Sequence, residues 1–288
     1  MAVEPIPAEC KCVIQAVLPR RTKFSRAAAG SEGGEQILAT NIDDAVVVAA
    51  LSATLNLRRI ERYVALAWES GADPIVVLTK ADLCETVEEA IQQVAALVRG
   101  VPVYAVSSET GWGLSELDNC LRPGRTLVLL GPSGVGKSTL INRWCGEARL
   151  EVQPVRCGDQ KGRHTTTRRQ LVLLPSGSMV IDTPGMRELQ LWEGSQGVEE
   201  TFPDIAELAL RCRFADCRHE NEPGCAVLDA VKTGQLNPGR FQSYQKLQRE
   251  LAHFETRYDK RAQAEARRRV RVIHKSARLI IKQKKKGR

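Results

Sequence analysis

The chain has 288 residues, of which 43% are hydrophobic and 26% are charged. This balance is typical of a soluble globular protein of about two domains, and no apolar run approaches the roughly 18–20 residues that a membrane span needs. The N-terminal residues also lack the basic and apolar regions of a secretory signal, so we expect a cytoplasmic protein with no membrane partner.

The net charge of +8 is concentrated at the C-terminal end of the chain. Residues 260–288 contain 13 Lys or Arg and a single acid, Glu265, so this segment alone carries +12. A tail with this charge favours binding to a polyanion such as RNA, and the alternative is a solvated helical tail that aids solubility.

Apolar runs and helical spacing predict alternating strands and helices after about 40 residues for which we expect irregular structure. The strands are expected at residues 45–50, 74–78, 101–106 and 126–130 and as a pair at 171–174 and 179–181, and the helices at 57–70, 86–98 and from 137. This alternation indicates an α/β domain with a mostly parallel sheet. After about residue 200 the pattern predicts helices, the last of them long and basic.

A glycine-rich sequence that ends in Lys137 and Ser138 fits the pattern G-x-x-x-x-G-K-[ST], between a predicted strand and a predicted helix. The glycines let backbone N–H groups point at phosphates, and the helix N-terminus adds partial positive charge. We expect Lys137 to contact the β- and γ-phosphates and the Ser138 hydroxyl to bind Mg²⁺. The predicted phosphate-binding residues are Gly131, Pro132, Ser133, Gly134, Val135, Gly136, Lys137, Ser138 and Thr139.

Two further segments predict the groups that sense the γ-phosphate. Asp182 ends an apolar strand and begins a D-T-P-G sequence, so its carboxylate is expected near Mg²⁺ and the N–H of Gly185 near the γ-phosphate. Residues 162–167 include a run of three threonines, of which we take Thr166 as the one that closes onto Mg²⁺ when the γ-phosphate is present. An ordinary polar loop is the alternative for this run.

Two loops predict recognition of guanine. Asp82, in the sequence Thr79-Lys80-Ala81-Asp82, can accept hydrogen bonds from N1–H and the 2-amino group of guanine, a pair of donors that adenine lacks. The stem of Lys80 can lie along the base plane. Ser107 and Ser108 follow the next predicted strand, and a backbone N–H there could reach the guanine O6.

Taken in order, T-K-A-D, S-S-E-T-G, G-P-S-G-V-G-K-S-T-L, G-R-H-T-T-T and D-T-P-G resemble the ribosome small-subunit-dependent GTPase A family, also called RsgA or YjeQ, over about residues 37–275. The base motifs come before the phosphate loop, which is the order of a circularly permuted G domain, since a cut in a surface loop leaves the site intact. The resemblance implies GTP or GDP with Mg²⁺, and it implies the small ribosomal subunit and its rRNA as partners in late subunit assembly. We expect the chain to act as a monomer.

The resemblance also implies three segments. Residues 1–42 would form a short OB-like β segment, truncated or reduced, 43–197 the permuted P-loop GTPase domain, and 198–288 a helical zinc-binding domain with a basic C-terminal helix. Family members usually carry a complete OB-fold barrel, and only its later part fits before the GTPase domain here. Thr79 stands where Asn is more usual, so we expect weaker guanine affinity.

A cluster of three thiols and one imidazole predicts a metal site. Cys212, Cys217, His219 and Cys225 lie within fourteen residues, and a Cys₃His set favours one structural Zn²⁺ per chain. Four unrelated loop residues are the alternative. The zinc-binding domain of the RsgA family has the same spacing.

Met186 follows the D-T-P-G sequence, where many G domains have a Gln that positions the attacking water. We therefore take His164 as the candidate catalytic residue, with Lys137 and Thr166, and the resemblance implies the same role for this His. The alternative is that His164 packs the loop or contacts RNA. Slow intrinsic hydrolysis, stimulated by a partner, follows from the missing Gln.

Two further functions compete with a ribosome-stimulated GTPase. One is a nucleotide-regulated RNA-binding factor in which turnover is incidental. The other is a permuted GTPase that acts on the large subunit, against which the Cys₃His cluster argues.

Overall fold

A six-stranded sheet lies at the centre of the computed structural model, which describes residues 2–6, 11–17, 19–27, 35–51, 55–146, 170–182 and 196–258. The strands are β1 (Ala2–Ile6), β2 (Lys11–Ala16), β3 (Lys23–Ala27), β4 (Glu35–Thr40), β5 (Asp44–Ala50), β6 (Asp73–Thr79), β7 (Val103–Ala105), β8 (Thr126–Leu130), β9 (Gln170–Leu173) and β10 (Met179–Asp182). The α-helices are α1 (Leu57–Ser70), α2 (Val87–Leu97), α3 (Leu114–Asp118), α4 (Lys137–Cys145), α5 (Gln196–Thr201), α6 (Pro203–Ala209), α7 (Ala226–Lys232) and α8 (Pro238–Tyr258).

The strand order of the central sheet is β7-β6-β5-β8-β10-β9. Neighbouring strands are parallel except β9, which pairs with β10 in the antiparallel direction. The expected α/β fold with a mostly parallel sheet is confirmed, as is the strand pair before residue 182. Strand β8 lies in the middle, with strands that precede it in the chain on one side and strands that follow it on the other. The carboxyl ends of β6, β7, β8 and β10 therefore share one edge of the sheet.

Strands β5 and β6 are almost entirely buried because helices cover both faces of the sheet. Alternate residues of β5 enter two different cores: Val47 packs with α1 and the C-terminal helices, whereas Val46 and Val48 pack with α3 and α4. This arrangement explains the unbroken apolar runs from which the strands were predicted.

Arg125 fixes the amino-terminal edge of the sheet. Its guanidinium donates to both carboxylate oxygens of Asp44 at 2.6 Å and to Asp73 at 3.0 Å. Next to it, the carboxylate of Asp43 accepts from the N–H of Thr126 at 2.8 Å. One side chain thus joins the starts of β5, β6 and β8.

The expectation of irregular structure before residue 40 is wrong, because β1–β2 and β3–β4 form two antiparallel pairs. Strand β2 has no sequence signal, because its neighbouring residues Val13 and Ile14 are both exposed and no apolar–polar alternation marks a buried face. Phe24 and Leu38 of the second pair are buried in the same core as Val47. The β3–β4 pair is therefore part of the same hydrophobic core as one face of the central sheet.

The C-terminal helices are attached to α1 through a buried charge cluster around Arg240 of α8. Its guanidinium donates to both oxygens of Asp204 at 2.7 Å, to Glu61 of α1 at 3.0 Å and to the carbonyl oxygen of Leu97 at 2.9 Å. It also lies 4.7 Å from the ring centroid of Phe202. These contacts hold α2, α6 and α8 against one end of α1.

Among the described residues, no helix has both the length and the apolar character needed to cross a membrane. The basic segment 260–288, for which a helix was predicted, lies outside the described residues.

Candidate nucleotide and metal sites

The phosphate-binding loop connects β8 to α4, as its pattern predicted. Gly131 has φ of 151°, and a Cβ atom there would lie 2.4 Å from the carbonyl oxygen of Val48, so only glycine fits. The amino group of Lys137 donates to the carbonyl oxygens of Gly131 at 2.8 Å and Pro132 at 2.6 Å. The Lys137 amino group therefore lies against the loop that would surround the β- and γ-phosphates.

Thr79 links the base motif to the phosphate loop. Its side chain is 3% exposed, and its hydroxyl donates to the carbonyl oxygen of Val135 at 2.6 Å. The same hydroxyl lies 3.3 Å from the carbonyl oxygen of Ala49 at the end of β5. The Thr79 side chain thus points towards the protein interior. Its hydroxyl joins the base motif to the phosphate loop.

Asp82 is held by the second base loop. The hydroxyl of Ser107 donates to one carboxylate oxygen of Asp82 at 2.5 Å, and the N–H of Ala81 donates to the carbonyl oxygen of Val106 at 3.1 Å. Ser107 is 1% exposed, whereas Asp82 is exposed. One oxygen of Asp82 is therefore anchored while the carboxylate remains open to a base.

The backbone N–H of Ser107 is already used within its own loop. This N–H donates to the carbonyl oxygen of Trp112 at 2.9 Å, which closes the loop and leaves that N–H unable to meet a guanine O6. Ser107 instead positions Asp82 through its side chain. Sequence spacing could not show this, because Ser107 and Asp82 are 25 residues apart. The contact with guanine O6 stays a prediction for the loop that contains Ser108.

Lys80 begins the turn that carries Asp82. It has φ of 60° and ψ of 41°, a left-handed conformation that non-glycine residues adopt infrequently. The chain then enters a short 3-10 helix over Ala81–Leu83. This sharp turn directs Asp82 out of β6 and towards the loop of Ser107.

Several predicted residues lie outside the described part of the chain: His164, Thr166, Gly185 and Met186. Asp182 is the last residue of β10, and its backbone pairs with Gln170 of β9. Because β10 is parallel to β8, Asp182 and the phosphate loop follow the same edge of the sheet.

The predicted metal ligands are brought together. The ligand atoms of Cys212, Cys217, His219 and Cys225 all lie within 4.8 Å of one another. Cys212 Sγ lies 3.9 Å from Cys225 Sγ and 3.6 Å from His219 Nδ1. Tetrahedral Zn²⁺ with its usual bond lengths requires edges of about 3.8 Å between sulfurs and about 3.6 Å between sulfur and nitrogen. The cluster is therefore compatible with a zinc site.

The surroundings favour the ligating protonation states of His219 and Cys212, whereas burial and the neighbouring thiols raise the pKa of Cys217 to about 11. Burial lowers the pKa of His219, so its imidazole stays neutral near pH 7. Burial acts to raise the pKa of Cys212, but hydrogen bonds from the N–H groups of Val227 and Ala226 at the start of α7 outweigh it and bring this pKa below its usual value. A neutral imidazole and a thiolate are the forms that bind a metal ion.

A turn beside the cluster is held by Glu222, whose carboxylate accepts from the N–H groups of Arg218 at 3.0 Å and Glu220 at 2.9 Å. These backbone hydrogen bonds lower the pKa of Glu222 to about 2, and the bond from Arg218 has the largest effect. The turn contains His219 with φ of 58°, so Glu222 fixes the strained backbone that presents the imidazole.

Comparisons with known protein families match this architecture. A model described as RsgA GTPase matches residues 17–192, and one described as 50S ribosome-binding GTPase matches residues 126–264. The second match begins at the first residue of β8. The first model thus covers the base loops and the phosphate loop in their permuted order.

The similar curated proteins carry the name of the same family. The "Small ribosomal subunit biogenesis GTPase RsgA" of Opitutus terrae is 52% identical over 247 residues, covering 85% of this chain and 67% of the relative. The protein of the same name from Streptomyces coelicolor is 51% identical over 257 residues, covering 88% of this chain and 70% of the relative.

Two crystal structures have the same fold. YjeQ from Thermotoga maritima superposes with a TM-score of 0.63 at 26% identity, covering 85% of this chain and 80% of that one. YloQ, described as a circularly permuted GTPase, superposes with a TM-score of 0.56 at 28% identity, covering 82% of each chain. The chain therefore belongs to the RsgA GTPase family and is a circularly permuted GTP hydrolase.

Proposed function

We propose that this GTPase acts in late maturation of the small ribosomal subunit, as a cytoplasmic monomer whose slow GTP hydrolysis is stimulated by that subunit. The observation that carries the proposal is the joined nucleotide site, in which Thr79 links the guanine motif to the phosphate loop. The names of relatives at about half identity over most of the chain supply the ribosomal role.

Each group of the site has a task in hydrolysis. Asp82, positioned by Ser107, selects guanine, and Lys137 with the loop N–H groups binds the phosphates. Ser138, Asp182 and Thr166 would hold Mg²⁺, which neutralises charge on the phosphate oxygens when bound. His164 is proposed to orient the attacking water, since Met186 has no group that can do so.

The Cys₃His cluster is proposed to hold one structural Zn²⁺ per chain, so that the region around α6 and α7 presents a fixed surface to rRNA. Arg211, Arg213 and Arg218 are exposed there, and the guanidinium of Arg213 lies 5.5 Å from the centroid of the exposed Phe214 ring. Exposed arginines beside an aromatic ring suit phosphates and unpaired bases. The basic segment after residue 259 would add phosphate contacts, so binding should weaken steeply with salt.

The decisive experiment is GTP hydrolysis with and without purified small subunits, with large subunits and ATP as controls. We expect turnover of GTP to rise only with small subunits. A rate that does not change with small subunits, together with RNA affinity that depends on the nucleotide, would support the alternative of an RNA-binding factor with incidental turnover. The His164→Ala variant should lose the stimulated rate, and an unchanged rate would reject its catalytic role.

A further inference from the structure

A cavity of about 100 Å³ lies between the start of α1 and the phosphate loop. Its walls are the end of β5, the first turns of α1 and two residues of the loop, Pro132 and Val135. Most of the lining is aliphatic, and the charged side chain in it is Arg59. Arg59 thus lines the same cavity as two residues of the phosphate loop.

Arg59 differs from the arginines next to it on α1. Arg58 donates to Gln242 of α8 at 3.0 Å, and Arg62 pairs with Glu250 of α8. Within the described part of the chain, no carboxylate pairs with Arg59. Two of the three arginines therefore join helices, and the third lines the cavity next to the phosphate loop.

The position of Arg59 is fixed by the helix cap. The side-chain oxygen of Asn56 accepts from the N–H of Arg59 at 3.0 Å, which sets the first turn of α1. Pro132 connects this turn to the reaction site, since it lines the cavity while its carbonyl oxygen accepts from the Lys137 amino group at 2.6 Å. Pro132 is thus a neighbour of both Arg59 and the Lys137 amino group.

We infer that Arg59 is a further catalytic residue, whose guanidinium contacts a γ-phosphate oxygen in the transition state of GTP hydrolysis. In that step the water oxygen bonds to the γ-phosphorus and the bond from phosphorus to the β–γ bridging oxygen breaks. The electron pair stays on GDP, and the proton lost by water passes to phosphate or solvent. Arg59 neither gives nor takes a proton; it stabilises the negative charge that spreads over the phosphoryl oxygens.

The inference depends on GTP hydrolysis and not on the proposed ribosomal partner, so its test uses the full chain alone with Mg²⁺. Three variants are compared with the unmodified chain: Arg59→Ala, Arg59→Lys and the control Arg58→Ala from the same helical turn. Single-turnover hydrolysis of GTP, GDP affinity, and affinity for GDP with aluminium fluoride as a transition-state mimic are measured for each. Urea unfolding midpoints verify folding.

Arg59→Ala should lower the hydrolysis rate about tenfold or more and weaken the aluminium fluoride complex similarly, with GDP affinity unchanged within about twofold. The hydrolysis rate of Arg59→Lys should lie between those of Arg59→Ala and the unmodified chain. The rate of Arg58→Ala should equal that of the unmodified chain. The effect of Arg59→Ala should be the same from about pH 6 to about pH 9, because a guanidinium stays charged throughout, unlike an imidazole.

Hydrolysis by Arg59→Ala within twofold of the unmodified rate would overturn the inference. So would equal losses in GDP affinity and in rate, because these would show a ground-state or structural role. Failure of small subunits to stimulate the unmodified chain would contradict the proposed ribosomal function and leave the result for Arg59 intact.

Discussion

The hydroxyl of Thr79 donates a hydrogen bond of 2.6 Å to the carbonyl oxygen of Val135 in the phosphate loop. Thr79→Ala removes this donor from a buried position, so we expect a looser loop and GDP affinity lower by about 1–2 kcal/mol. Thr79→Ser retains the hydroxyl and should bind GDP nearly as well as the unmodified chain. Titration with a fluorescent GDP analogue measures both, and equal affinities for the alanine and serine variants would contradict the prediction.

Selectivity for the base should depend on the pair formed by Ser107 and Asp82. Asp82→Asn replaces an acceptor with a donor, so this variant should lose GTP and gain xanthosine triphosphate, whose base has a carbonyl oxygen in place of the 2-amino group. Ser107→Ala should weaken guanine binding by about 1 kcal/mol without changing the preferred base. Competition between the two nucleotides measures selectivity, and an Asp82→Asn variant that still prefers GTP would refute the role of Asp82.

Removal of a metal ligand should unfold the C-terminal cluster. Cys225 lies beside Cys212 and His219, and its Sγ also accepts from the N–H of Leu228 in the first turn of α7. Cys225→Ser should lower bound zinc from about one per chain to near zero, with loss of helix content. Cys84→Ser, outside the cluster, is the matched control. Elemental analysis measures the zinc content of both variants. Full zinc occupancy in Cys225→Ser would show that Cys225 is not a zinc ligand.

The charge cluster around Arg240 should be needed for stability. The side chains of Arg240 and Glu61 are 10% and 2% exposed, so Arg240→Met would leave a buried carboxylate without its counter-ion. We expect the free energy of unfolding to fall by about 3–5 kcal/mol. Lys232→Ala, which removes an exposed pair with Asp229, should change it by less than about 0.5 kcal/mol. Urea unfolding compares the two, and similar midpoints would contradict the prediction.

The two acids that share Arg240 should differ in their dependence on pH. Burial raises the pKa of Glu61 despite its hydrogen bonds to Ser243 and Arg240, whereas for Asp204 the Arg240 contact outweighs burial and the pKa falls. A raised carboxyl pKa means that the folded state holds the proton more tightly, so ionised Glu61 opposes folding as pH rises. Asp204 has the opposite sign and stabilises the fold above its unfolded pKa.

Glu61→Gln should therefore gain stability relative to the unmodified chain as pH rises from about 4.5 to about 7.5. Gln keeps an oxygen that accepts from Arg240 and removes the cost of burying the charge. Unfolding midpoints across this range test the prediction. If Glu61→Gln instead loses stability relative to the unmodified chain as pH rises, the ion pair of Glu61 with Arg240 stabilises the fold by more than burial of the charge destabilises it.

The nucleotide motifs could be predicted because their chemistry lies within short segments. A glycine-rich turn before Lys137 and a carboxylate at Asp82 are sufficient to indicate phosphate and guanine recognition, and their order along the chain indicates the permutation. The α/β sheet could be predicted from unbroken apolar runs, which are typical of strands that are buried on both faces. The grouping of Cys212, Cys217, His219 and Cys225 was predicted in the same way, from spacing and ligand type.

What the sequence left open are the contacts that join distant segments. The hydroxyl of Thr79 meets Val135, 56 residues away, and Arg240 meets Glu61, 179 residues away. The N-terminal strand pairs had no local signal, because β2 has no buried face to give it an alternating pattern, and only the family resemblance indicated a β segment there. The chemistry of a short motif depends on neighbouring residues and can be recognised in the sequence. The partner of a buried hydroxyl or guanidinium is determined only by the tertiary fold, which brings the two distant groups into the same small volume.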